Sequence, residues 1–191
     1  MRSLALPPSI PDQSLRHHSR FVDFLRARSS LLLAGERNAL VPRVCLHYPK
    51  FADAHYNLGN TYLQMGKANE ALSNYERALE IDPNDTEALN NMAWILATWP
   101  DALTRDGAKA VELAERADSL TRGESPVASA TLAAAYAEAG RFAEAVKTDQ
   151  RALRLATAEG DAARADSIRT QIEVYQSGAA FRDHRYASAS R

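Results

Sequence analysis

The chain has one cysteine in 191 residues, Cys45, so it forms no intrachain disulfide and no cysteine-based zinc cage. Aromatic residues make up only 7% of it, and β-branched stretches are sparse. Both shortages turn the expectation away from sheet and towards helix. Long apolar runs are missing too. The longest dense one, Leu31 to Ala34, is far short of the roughly 20 residues that cross a bilayer, so no membrane insertion is expected. Excess charge is also lacking, because the formal net charge is -1. Residues 1–50 carry eight Lys/Arg against three Asp/Glu, and residues 51–191 carry fifteen against twenty-one. A mildly acidic body speaks against nucleic acid as a partner, since such binders concentrate Lys and Arg on one face. Met1 to Pro11 is broken by Pro7, Pro8 and Pro11 and lacks the apolar stretch of a secretory signal, so a cytoplasmic location is expected.

The residues that usually carry chemistry are also thinly spread. The five histidines, His17, His18, His47, His55 and His184, have no partner at ligand spacing, and no His-Glu-x-x-His occurs. There is no Gly-x-Gly-x-x-Gly, no Gly-Lys-Ser/Thr phosphate loop and no Gly-x-Ser-x-Gly elbow. Cys45 lies two residues from His47, but closeness in sequence does not make a thiolate–imidazole pair. The carboxylates Asp82 and Asp85 flank a helix boundary, where capping explains them. No enzyme, no metal and no cofactor is expected.

What is present is a repeat. From Ala54 the apolar residues Leu58, Tyr62 and Met65 recur at helical spacing, followed by Ala71, Leu72, Tyr75, Ala78 and Leu79. The same order returns downstream. Gly59 maps to Ala93 and Tyr62 to Leu96 at a spacing of 34, whereas Ala71 and Ala78 map to Ala110 and Ala117 at 39. Residues have therefore been inserted in the middle of the second copy, at Trp99 to Arg105. A third copy holds Leu132, Ala133, Tyr136, Gly140, Phe142, Ala145 and Ala152 in the equivalent order. Each copy reads as two amphipathic helices that cannot bury their stripes alone. Small residues let the pair approach, and stacking on the next pair completes the core. Pro83, Asp85 and Ser125-Pro126 punctuate the copies, while Gly66 and Gly140 fit the turns within them.

These residues resemble the tetratricopeptide repeat family, and in copies two and three the repeat tails at the C-termini of large bacterial proteins. The resemblance implies an all-α solenoid, a right-handed superhelix of helix hairpins with a C-terminal capping helix. Its parts are an irregular or helical segment over 1–50, with a helix at Arg20 to Ala34, and three repeats at 52–85, 86–121 and 126–156. A capping helix over 157–178 and a flexible tail over 179–191 follow, with Phe181 placed to tuck back. The implied function is a non-catalytic module that binds a protein or peptide in its concave groove. The groove residues implied are Tyr56, Asn57, Asn60, Gln64, Asn90, Asn91, Trp94, Thr131 and Glu138.

Asn57 and Asn91 occupy equivalent places. Their amides can read the backbone of an extended peptide or satisfy groups inside the stack, and both readings stand at this point. Trp94 is either an anchor for a partner or a filler between helices. The Lys/Arg clamp that grips acidic chaperone tails is missing, since Tyr56, Asn60, Asn90, Trp94, Ala130 and Ala134 stand in its place. Two other roles compatible with the resemblance are a structural tail with a possible homo-oligomer, and a substrate-recruiting arm for a glycosyltransferase-like enzyme.

Overall fold

A computed structural model describes residues 51–185. The helix expected over Arg20 to Ala34, Cys45 and the His17–His18 pair lie outside the described residues. Seven helices and no strand occur among the described residues: α1 (Ala52–Gln64), α2 (Ala68–Ile81), α3 (Thr86–Thr98), α4 (Gly107–Leu120), α5 (Pro126–Glu138), α6 (Phe142–Ala158) and α7 (Ala162–Gln176). Each helix packs on the next along the chain, and α3 also packs on α5. The architecture is an all-α helical-repeat solenoid.

Local chemistry sets the helix boundaries. The Asp85 carboxylate accepts from the backbone N–H of Glu87 (3.1 Å) and Ala88 (3.0 Å), which starts α3. Ser125 does the same for Ala128 at 3.2 Å, with Pro126 at the first position of α5. Asp106 and Asp161 cap α4 and α7 in the same way, through Lys109 and Arg164. Gly66 (φ 72°) and Gly140 (φ 77°) enter the left-handed region that lets the chain leave α1 and α5. At both ends the N–H groups after the turn reach back to the last carbonyls: Gly66 to Leu63 and Lys67 to Tyr62, Gly140 to Ala137 and Arg141 to Tyr136.

The small residues of the repeat sit where the helices meet. Gly59, Ala93 and Ala133 are all buried, as are Ala71, Ala78, Ala110, Ala117, Ala145 and Ala152. At Gly59 the approach is closest, because a Cβ there would lie 2.6 Å from Cε1 of Tyr75. The three copies differ one step further along the second helix. The position four residues after the first alanine is Tyr75 in copy one, Ala114 in copy two and Asp149 in copy three. Tyr75 fills its own repeat. In copy three the aromatic ring comes from the capping helix instead, as Tyr175 clusters with Ala133, Ala137 and Ala145.

Candidate functional site

The first helices of the hairpins, α1, α3 and α5, form a wall that α7 and the C-terminal segment close at one end. Along it lies a cavity of about 580 Å³ lined by Asn90, Asn91, Trp94, Thr131, Ile168 and Gln171, with Phe181 and Asp183 on its far side. Four of the nine residues expected in the groove, Asn90, Asn91, Trp94 and Thr131, thus share one cavity. The others lie apart from its lining. Tyr56 is partly buried against the Tyr75 ring, with centroids 5.9 Å apart, and burial pushes its phenol pKa up. Asn60 accepts from the Tyr75 hydroxyl (2.6 Å) and from Asn91 Nδ2 (3.1 Å). Asn57 is exposed and donates to the Asp53 carbonyl of its own helix at 2.7 Å. Gln64 is exposed at the end of α1. Glu138 sits at the opposite end of the wall, in an ion-pair cluster described below.

The asparagines are therefore engaged within the stack. Asn91 also approaches the Tyr56 hydroxyl at 3.5 Å, so it tethers α3 to α1, while Asn57 braces one turn of α1. Asn90 behaves differently: its Oδ1 is buried and has no hydrogen-bond partner. A lone buried acceptor beside a cavity retains the full cost of its desolvation until a donor arrives.

The recurrence of equivalent buried small residues in three successive hairpins is the packing of one repeat family. Tetratricopeptide repeat models match residues 52–85, 74–112 and 129–163. The chain belongs to the tetratricopeptide repeat family. A search of the curated proteins finds no match. Tetratricopeptide repeats make this chain a protein–protein interaction module in general terms, of a family that is typically non-catalytic scaffold. No helix among the described residues is long and apolar enough to cross a membrane.

The tetratricopeptide pattern is broken where α3 ends. The second copy has no glycine like Gly66 or Gly140 at this point; Trp99 and Pro100 follow instead, and the Trp99 backbone (φ -58°, ψ 138°) cannot fold back on the helix. The last carbonyls of α3 must find donors elsewhere. Ile95 O receives the Trp99 N–H, and Leu96 O receives the Asp106 N–H at 3.0 Å. The inserted loop is pinned by Arg105, whose guanidinium donates to the Trp99 and Pro100 carbonyls at 2.8 Å each and to Glu138 at 2.9 Å.

The remaining two carbonyls are met by the C-terminal segment, residues 179–185 of the tail expected over 179–191; residues 186–191 lie outside the described residues. Residues 179–185 return along the wall. Arg182 donates to Ala97 O at 3.3 Å, and the Asp183 N–H donates to Thr98 O at 2.9 Å. The Asp183 carboxylate, 3% exposed, accepts from the Trp94 indole N–H at 2.8 Å. Burial raises the pKa of this carboxyl, but bonds from Arg185 and Trp94 outweigh it and leave the group below its ordinary value. Arg182 also pairs with Glu138 at 2.7 Å, so Glu138 holds Arg105 and Arg182 together. Phe181 tilts against Trp94 with ring centroids 6.1 Å apart. The segment is held because a helix end with no glycine cap offers it carbonyls, an indole and a carboxylate. The sequence reading places Phe181 back against the body, but no period-based reading finds the bonds of Arg182 and Asp183. Nor did it show that α7 contributes Ile168 and Gln171 to the cavity.

Proposed function

We propose that this tetratricopeptide stack holds a non-helical segment of another polypeptide against the wall formed by α1, α3 and α5. The observation that carries this reading is the seating of residues 181–183. A stretch of ordinary polypeptide here engages the wall through one main-chain bond, Asp183 N–H to Thr98 O, and through three consecutive side chains. A surface that takes up backbone and side chains together has the makings of a peptide site. Trp94 is its centre. It presents an apolar face to Phe181 and a donor to Asp183, the combination that makes tryptophan common among binding hot spots. Asn90 Oδ1 supplies a further acceptor beside the cavity.

The test is selection of peptides from a random display library on the full chain, followed by calorimetry on wild type and on Trp94→Ala. Selected peptides are expected to bind with micromolar Kd, about -8 kcal/mol, which suits a groove of three repeats. Trp94→Ala should weaken them at least tenfold with helicity unchanged by circular dichroism. Peptides whose affinity is indifferent to Trp94→Ala and Asn90→Ala would overturn the reading.

A further inference from the structure

We propose, resting on the groove reading above, that the partner presents an aromatic–basic–Asp triplet and that Phe181-Arg182-Asp183 occupies its place until displaced. The argument starts from the wall. Without the C-terminal segment, Ala97 O and Thr98 O at the end of α3 lose their donors, Trp94 Nε1 loses its acceptor, and Glu138 keeps Arg105 alone. The α3 end cannot repair this by itself, because Trp99 and Pro100 replace the glycine turn that satisfies α1 and α5. The unmet groups have a fixed order in space. They ask for a flat ring on Trp94, a cation that reaches both Glu138 and Ala97 O, a backbone N–H at Thr98 O and an anion at the indole.

That list selects among residues. Arg182 meets both acceptors through one nitrogen, Nη1, which lies 2.7 Å from Glu138 and 3.3 Å from Ala97 O, so the place asks for a cation on a stem long enough to reach them together. The anion must be short, since the same residue gives its N–H to Thr98 O and its carboxylate to Trp94. Aspartate meets both demands. Only Ala179 and Ala180 separate Gly178, at the end of α7, from Phe181, so the chain's own triplet is present at high effective concentration, on the order of millimolar. A partner with the same chemistry in trans must compete with it, and its apparent affinity falls by the fraction of time the groove is closed.

The test uses a fluorescein-labelled peptide with the sequence of residues 178–185, measured by anisotropy against the full chain. The variant Phe181→Ala/Arg182→Ala/Asp183→Ala is expected to bind it at least tenfold more tightly than wild type. Adding Trp94→Ala should remove at least tenfold of that gain, and a peptide with Arg and Asp exchanged should bind at least tenfold more weakly. Should the triple variant lose helicity, Asp183→Asn alone serves, with the Trp94 indole proton followed by NMR as peptide is added. Equal binding to wild type and variant, equal binding of the exchanged peptide, or no binding to a helical variant would each overturn the proposal. Concentration-dependent dimers of the wild type in light scattering, lost in the triple variant, would overturn it in favour of exchange between copies. Library peptides of other chemistry that bind through Trp94 would overturn the triplet and leave the groove standing.

Discussion

Asp149 offers the sharpest test of the packing. Its side chain is 0% exposed on α6, and neither carboxylate oxygen has a hydrogen-bond partner. The Tyr175 hydroxyl of α7 is buried and equally unpartnered. Burial pushes the Asp149 carboxyl up to about 8, and burial together with the Asp149 charge pushes the Tyr175 phenol up as well, against the opposing pull of Arg182. A carboxyl raised in the folded state binds its proton more tightly there than in the unfolded chain. Stability therefore falls as pH rises from about 4, where the unfolded group ionises, and levels off above about 8. The slope across that window is about 1.4 kcal/mol per pH unit, so at pH 7 the protonated acid lowers stability by up to about 4 kcal/mol relative to pH 4. Asp149→Asn removes the proton and the slope. Urea unfolding of wild type and Asp149→Asn, followed by circular dichroism at pH 4.5, 6, 7 and 8.5, gives a difference curve in which the shared titrations cancel. The variant should gain on the wild type steadily up to pH 8. Parallel curves would refute the reasoning, whatever their offset.

Other expectations follow from single contacts. Tyr175→Phe removes a buried hydroxyl with no partner and should raise stability by about 1 kcal/mol at every pH below 8, read from the urea midpoint. Gly59→Ala drives a methyl into the Tyr75 ring and should lower stability by about 1–3 kcal/mol, with a lower thermal midpoint. Gly140→Ala meets no neighbour but must adopt φ near 77°, so it should lower stability by about 1 kcal/mol in the same assay. The Asp183 carboxyl lies below its ordinary value when docked, so docking is supported at neutral pH and lost as pH falls through that lowered value. The Trp94 indole proton, followed by NMR, should stay in place down to the ordinary carboxylate range, whereas Asp183→Ala should move it towards its solvent position already at pH 7; an indole signal unchanged in that variant would contradict the bond to Asp183.

The repeats were legible because their signal is redundant. Gly59, Ala93 and Ala133 answer to one packing demand, and the alanines of α2, α4 and α6 answer to another, so a spacing of about 34 survives an insertion. Asp85, Ser125 and the turn glycines were readable for the same reason, since each serves a helix end that repeats. The candidate site was only half legible. Trp94 and Thr131 follow from the helical period, but Asn57 and Asn91 carry no mark that tells an amide facing a ligand from one bonded to Asp53 O or Asn60. Asp149 falls on an alanine-lined stripe and breaks it, a signal that a count of small residues passes over. The sequence places Phe181 against the body, but the bonds of Arg182 and Asp183 span some 85 residues, are fixed by a helix end far upstream, and no local pattern encodes them.

The borrowed ring of Tyr175 also bears on how such arrays grow. In the first hairpin the bulky side chain and the small one facing it belong to the same unit, so that unit has its own filling. The third hairpin has given up that self-sufficiency: a carboxyl stands where its ring should be, and the closing helix supplies the missing volume. Lengthening the array by inserting a fourth hairpin ahead of α7 would leave a hollow beside an acid. The terminal unit and its lid are thus one packed piece, and a unit inserted between them would have to bring a ring of its own to that place.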